Sequence, residues 1–182
     1  EKIQLRVSNR KILIGLLQVF GITETDQITE FTRLIDKLEK IGAESVETGL
    51  KLNLRLADID ENFANCFMDL ANMRAKPSEA AGLLRDLVNR NDVIAKSAHD
   101  EAIHTLEEGI AELEAVMDYL KDLPEGAVIA DLSIVRGLDY YTGTVYETVF
   151  VDDPGYGSIC SGGRYDDLAG SYINKVLPGV GI

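Results

Sequence analysis

The stretch RGLDYYTGTVYE, Arg136–Glu147, decides the reading of the fold. It opens with a cation and a glycine, carries two adjacent tyrosines, and continues through Thr142, Thr144 and Tyr146, residue types that suit a pleated strand. Neighbouring side chains of an extended chain point to opposite faces, so Tyr140 and Tyr141 are not both expected in the core of a one-sided sheet. At least one phenol should look into a polar cavity or a ligand. The competing reading is an edge strand with exposed tyrosines. Arg136, at the start, can present a planar cationic fork to a carboxylate or phosphate.

The strand character extends to both sides of this stretch. After Pro124-Glu125-Gly126 the chain is rich in Gly, Tyr, Thr and Val, and IADLSIV, YYTGTVYETVFV and YGSICSGG read as strands joined by glycine-containing turns. Asp152-Asp153-Pro154-Gly155 is turn chemistry, and LPGVGI at 177–182 reads as one more strand beginning. A second informative segment, CSGGRYDDLAG (Cys160–Gly170), places Gly162-Gly163, which tolerate close approach of other atoms, before an arginine, a phenol and a carboxylate in a row. Asp166-Asp167 is also suited to cap a short helix beginning DLAGSY.

Upstream the periods change. Ile3, Leu5 and Val7 alternate with Lys2, Gln4 and Arg6, a half-buried strand. Ser8 is the expected N-cap of a helix NRKILIGLLQVF that Gly21 terminates. Ile28, Phe31, Leu34, Ile35, Leu38 and Ile41 predict one helix over about 24–41, closed by Gly42. From there to about Leu123 the chain reads as almost all helix. Asp58 or Asp60 is suited to cap ENFANCFMDLANM, Pro77-Ser78 to open EAAGLLRDLVNR, and Ser97 to begin a long helix striped by Ile103, Leu106, Ile110, Leu113, Val116, Met117 and Leu120. The expected organisation is therefore a strand with helices over 1–42, a helical insertion over 43–123, and strands over 124–182. Strand Glu1 enters abruptly and LPGVGI stops abruptly, which reads as a fragment.

Composition narrows the function classes. Lys and Arg number 18 against 31 Asp and Glu, a formal charge of −13, so no broad basic face is available to grip nucleic acid. No apolar run is long enough for a transmembrane helix, and EKIQLRVSNR has no signal-peptide character. Cys66 and Cys160 lack CxxC spacing and read as free thiols of a reducing compartment, the cytoplasm. His99 and His104 are five apart, not the i, i+4 spacing that converges on a metal, so no metal site is expected. No P-loop or GxGxxG fingerprint occurs.

RGLDYYTGTVYE resembles the signature peptide of histidyl-tRNA synthetases, and SGGRYDDL is similar to that family's second segment. LPGVGI resembles the stretch leading into the last motif shared by class II synthetases. VSNRKILIGL and LIDKLEKIG resemble segments at the entry to the family's helical insertion. This resemblance implies an α+β fold: a partial antiparallel sheet of a class II catalytic core interrupted by an all-helical insertion domain. It implies a parent enzyme that activates histidine with ATP and magnesium to histidyl-adenylate and transfers histidine to tRNA(His), as a homodimer, without membrane or DNA partners. It further implies that Arg136 serves at the α-phosphate and the substrate carboxylate, that Tyr140 and Tyr141 line the histidine pocket with the second phenol on the imidazole, and that Tyr165 lies near the substrate amino end. Gly162 and Gly163 would let backbone approach the same pocket.

The family's dimer-interface motif, its ATP-clamping arginine loop, the carboxylates that read the imidazole and its last arginine motif have no counterpart in these residues. The chain alone is therefore expected to be inactive and to hold no cofactor tightly. Two other classes share the resemblance. One is a histidine-sensing regulatory subunit of ATP phosphoribosyltransferase, expected to drift from RGLDYYTG and to lack the insertion. The other is a synthetase-like domain of a tRNA-sensing kinase, expected to follow a kinase domain.

Overall fold

The computed structural model describes residues 2–57, 61–91, 94, 100–135, 140–167, 170 and 173–182. Strand β1, Ile3–Asn9, forms where expected, but its burial rises along the strand and does not alternate: Ile3 is 55% exposed, whereas Val7, Ser8 and Asn9 are all buried. Helix α1, Arg10–Val19, follows without a linker. Its N-cap is Asn9, not Ser8: the Asn9 side chain accepts from the Lys11 amide at 3.0 Å. The reason lies in the sheet. Pairing continues through Ser8 opposite Val145 and Asn9 opposite Thr144, so Arg10 is the first residue released from the ladder. Gly21, at φ 81°, ends the helix as expected.

The helix expected over 24–41 is two, α2 (Thr25–Asp36) and α3 (Leu38–Ile41), with a tightened turn at Lys37. The break leaves Leu38 in the core but turns Ile41 out, 45% exposed. Helices α4 (Ala43–Ala57), α5 (Glu61–Ala71), α6 (Ala80–Arg90) and α7 (Asp100–Leu120) follow. The expected caps Asp58, Asp60 and Ser97 lie outside the described residues. The middle region is not wholly helical: strand β2, Arg74–Ala75, pairs antiparallel with β3, Val128–Asp131. A two-residue strand carries no period, which is why composition hid it.

Strands β4 (Thr144–Phe150), β5 (Ser158–Tyr165) and β6 (Gly179–Gly181) complete a six-stranded sheet in the order β2-β3-β1-β4-β5-β6. Neighbours are antiparallel except β1 and β3, which are parallel. A parallel pair needs a long crossover, and the helices between β1 and β3 provide it. The strand expected over IADLSIV stops at Asp131, whose side chain takes the Ser133 amide and hydroxyl and turns the chain away. The strand expected from Tyr140 starts only at Thr144.

One apolar core runs through sheet and helices alike, from Val7, Val128 and Ala130 to Phe63 and Phe67. Phe20, Phe31, Phe63 and Phe67 stack edge to face or tilted, with ring centroids 4.9–5.9 Å apart, at the helical end. At the sheet end α7 crosses α1 closely. Gly15 abuts the Leu106 backbone and Gly109 the Ile12 backbone, and the buried stripe Leu106, Ile110, Leu113 and Met117 lies along the contact. Within the described residues no helix is long and apolar enough to cross a membrane.

Candidate active site

The two segments singled out by sequence meet at the β4–β5 pair. Val145 lies opposite Gly163 and Tyr146 opposite Gly162; across β5, Tyr165 lies opposite Gly179 of β6. Three tyrosine rings use the missing side chains of three glycines. A Cβ on Gly163 would come 2.8 Å from Cδ1 of Tyr141, one on Gly179 would strike the Tyr165 ring at 2.6 Å, and one on Gly162 would strike the Gly181 carbonyl first and then the Tyr146 hydroxyl at 2.5 Å. Real Cβ atoms do not approach so closely, so each glycine is the condition for its ring's position. Tyr146 then donates its hydroxyl to the Gly181 carbonyl at 2.8 Å.

Strand alternation sorts these rings by face. Gly163 and Tyr165 share one face of β5, and Tyr141 lies over Gly163. Gly162 opens to the opposite face, under Tyr146, the side from which Glu112 of α7 reaches Asn9. Of the expected site residues, the fold thus brings Tyr141, Tyr165 and Gly163 together, and turns Gly162 to the helix side. Arg136 lies outside the described residues.

Tyr140 and Tyr141 precede β4, so the alternation expected to part them does not operate. Their rings face one another at 4.4 Å between centroids, tilted by 60°. Tyr140 is 47% exposed and Tyr141 is half-buried. Burial pushes the Tyr141 phenol above the usual tyrosine range, and a hydrogen bond with Tyr140 and the nearness of Tyr146 and Tyr165 reinforce it. At neutral pH this phenol keeps its proton and can donate it in a hydrogen bond or accept one.

The turn beneath the pair is pinned to the end of β5. The Thr142 amide donates to the Arg164 carbonyl at 2.9 Å, and its hydroxyl to Asp166 Oδ2 at 2.7 Å. Arg164 Nε donates to Asp166 Oδ1 at 2.9 Å. The Thr142 hydroxyl, then Arg164, hold the Asp166 carboxyl below the usual carboxylate range. The short helix expected after Asp166-Asp167 falls largely outside the described residues.

The face bearing Tyr141 also carries ionic groups that sequence reasoning missed. Asp131 is fully buried, with Arg74 Nε at 2.8 Å and Arg6 Nη1 at 3.5 Å. Burial raises its carboxyl above the ordinary value although Arg74, Ser133 and Arg6 pull the other way. Glu147, 9% exposed, pairs across the ladder with Arg6. A signal existed: Val145, Glu147 and Val149 share a face, so a carboxylate stands where the pattern wants an apolar residue. Among the described residues no three His, Cys, Asp or Glu side chains converge as a metal site. His104 is exposed on α7, and His99 lies outside the described residues.

A mostly antiparallel sheet, entered by a helical crossover and carrying a tyrosine pair over a glycine-rich strand, is the architecture expected of a class II aminoacyl-tRNA synthetase core. The comparisons with known proteins agree and go further. The family model described as histidyl-tRNA synthetase matches residues 1–182. A histidine–tRNA ligase of Thermobifida fusca (strain YX) is 45% identical over 178 residues, which cover 98% of this chain and 36% of that protein. The crystal structure of histidyl-tRNA synthetase from Nostoc sp. PCC 7120 superposes with a TM-score of 0.80 at 35% identity, over 98% of this chain and 39% of that one. The chain belongs to the histidyl-tRNA synthetase family, and spans little more than a third of its curated relatives. A structure described as an ATP phosphoribosyltransferase regulatory subunit/histidyl-tRNA synthetase from Bacillus halodurans C, 17% identical with a TM-score of 0.63 over 99% of this chain and 41% of that one, shares the fold.

Proposed function

We propose that this chain is the histidine-binding wall of a histidine–tRNA ligase, an enzyme that forms histidyl-adenylate from histidine and ATP and passes histidine to tRNA(His). The observation that carries this reading is the Tyr141 ring seated on Gly163, on the face it shares with Tyr165, with its phenol held neutral. A neutral phenol both donates and accepts, so it pairs with either nitrogen of an imidazole and disfavours apolar rings of similar size. Tyr140 is assigned to one side of the histidine pocket and Tyr165 to the amino end of the substrate. Gly163 permits the arrangement directly, and Gly162 serves it through Tyr146 behind the strand. Arg136 is assigned to the α-phosphate and carboxylate, where its charge offsets the negative charge that grows on phosphorus during attack.

In this reading residues 43–123 are the inserted region, approaching the acceptor arm of tRNA, with 1–42 and 124–182 as the flanking core, to which β2 and α7 return from within the insertion. The parent is a cytoplasmic homodimer that uses ATP with magnesium. The chain alone forms no adenylate, because the rest of the ATP site lies elsewhere.

Histidine-dependent ATP–pyrophosphate exchange by the intact polypeptide tests the proposal. Exchange lost in Arg136→Ala, with histidine KM raised in Tyr141→Phe, supports it. Histidine binding with no exchange would instead indicate the regulatory reading, against which the intact RGLDYYTG string counts. A kinase domain preceding this segment would indicate a tRNA sensor.

A further inference from the structure

Behind the tyrosine pair, on the opposite side of the sheet, one carboxylate ties α7 to the pocket segments. Glu112 Oε2 accepts from Asn9 Nδ2 at 2.7 Å, and Glu112 Oε1 accepts from Lys11 Nζ at 2.7 Å and lies 3.9 Å from Arg164 Nη1. These groups are partly shielded: Glu112 and Lys11 side chains are 21% and 17% exposed, and Asn9 is buried. Asn9 is also the cap of α1, and the next amide, that of Arg10, donates to the Gly143 carbonyl at 2.9 Å. Gly143 in turn lies under Glu112, with a Cβ position only 3.2 Å from Oε2 and 3.3 Å from Arg164 Cδ.

Thr142-Gly143, the two residues after Tyr141, are thereby gripped on three sides. Arg164 of β5 and Asp166 just beyond it hold Thr142; Arg10 holds the Gly143 carbonyl from α1; Glu112 of α7 stands over Gly143 and touches both of the other grips, through Asn9 and through Arg164. Removing the Glu112 charge leaves Lys11 with Glu108 at 2.8 Å and Arg164 with Asp166 at 2.9 Å, so both cations keep a partner. What is lost is the group that joins them across the turn.

We infer that Glu112 is a positioning residue for histidine binding: by joining Asn9, Lys11 and Arg164 over Gly143, it sets the turn that seats Tyr141 and couples helix α7 to the pocket. This rests on the reading of the site as a histidine pocket. A charge-assisted bond is roughly twice as strong as a neutral one and orients its partners.

The test uses the intact polypeptide in histidine-dependent ATP–pyrophosphate exchange. Glu112→Gln, which keeps shape and one acceptor, should raise histidine KM about tenfold with ATP KM and Tm near the parent values. Glu114→Gln, which breaks an exposed pair with Arg85 on the same helix, should change neither KM. Thr142→Val should raise histidine KM as well, and the double variant should fall short of the product of the two effects because both loosen the same turn. An unchanged histidine KM in Glu112→Gln overturns the inference, as do histidine and ATP KM rising together with a fall in Tm, or multiplicative effects in the double variant. If the parent protein shows no histidine-dependent exchange, it is the functional reading that fails; if the parent is active and Glu112→Gln matches it, only the positioning role fails.

Discussion

Gly109 of α7 stands on the backbone of Ile12 in α1: a methyl group there would lie 2.7 Å from the Ile12 nitrogen. The contact is reciprocal, since Gly15 of α1 meets the Leu106 nitrogen at 2.5 Å in the same sense. Alanine is the better helix former by about 1 kcal/mol, but here it forces the helices apart. Gly109→Ala and Gly15→Ala should each destabilise by about 1–3 kcal/mol, the usual cost of overpacking. Urea denaturation of the intact polypeptide measures this, and a gain in stability would show that the helices cross more loosely.

Gly163→Ala attacks the site rather than the fold. The new methyl would overlap the Tyr141 ring at 2.8 Å and the Thr144 carbonyl at 2.9 Å. The ring is the softer of the two and swings off the strand. Histidine KM should rise at least about tenfold, about 1.4 kcal/mol in binding, while ATP KM changes little; equal effects on both substrates would argue against a histidine-facing Tyr141.

Asp131 is a buried carboxylate between two cations that keep some access to water, the Arg6 and Arg74 side chains being 23% and 33% exposed. Asp131→Ala should destabilise by about 1–3 kcal/mol, less than the ~3–5 kcal/mol of a fully buried broken pair. The pH dependence has a definite sign. Burial raises the folded-state pKa, so the native state holds this proton more tightly than the unfolded chain. The group's contribution to stability is full below the unfolded value, about 3.9, and is lost as pH rises through the folded value. Asp131→Asn should therefore flatten the stability–pH curve just above pH ~4, as chemical denaturation across that range would record.

The two thiols should differ in reactivity. Cys66 is buried at 5% exposure with its pKa pushed up to about 11, chiefly by desolvation, whereas Cys160 is exposed on β5. Since the thiolate is the nucleophile, iodoacetamide at pH ~8 should label Cys160 and leave Cys66 until the protein unfolds. Mass spectrometry of the labelled peptides checks it; early labelling of Cys66 would mean that α5 opens readily.

The helices and most strands were legible because their periods are local. The stripe of α7 and the glycine stops at 21 and 42 each depend on residues a few positions apart, and RGLDYYTG with SGGRYDDL was specific enough to name a family. In two places where local pattern misled, a long-range pairing had overruled it. Asn9 replaced Ser8 as cap because β4 holds Ser8 in the sheet, and Arg74-Ala75 became a strand because β3 offered an edge.

By itself, then, the chain's order of residues determined its α+β class, its helical middle region and the identity of the tyrosines and glycines. Tertiary structure alone decided that Tyr141 settles on Gly163 beside Tyr165 while Gly162 faces Tyr146, that Asp131 lies beneath two guanidinium groups, and that Glu112 reaches Asn9 from more than 100 positions away. The physical reason is register: which face a residue presents is settled by the strand it pairs with, and a shift of one residue would exchange every partner.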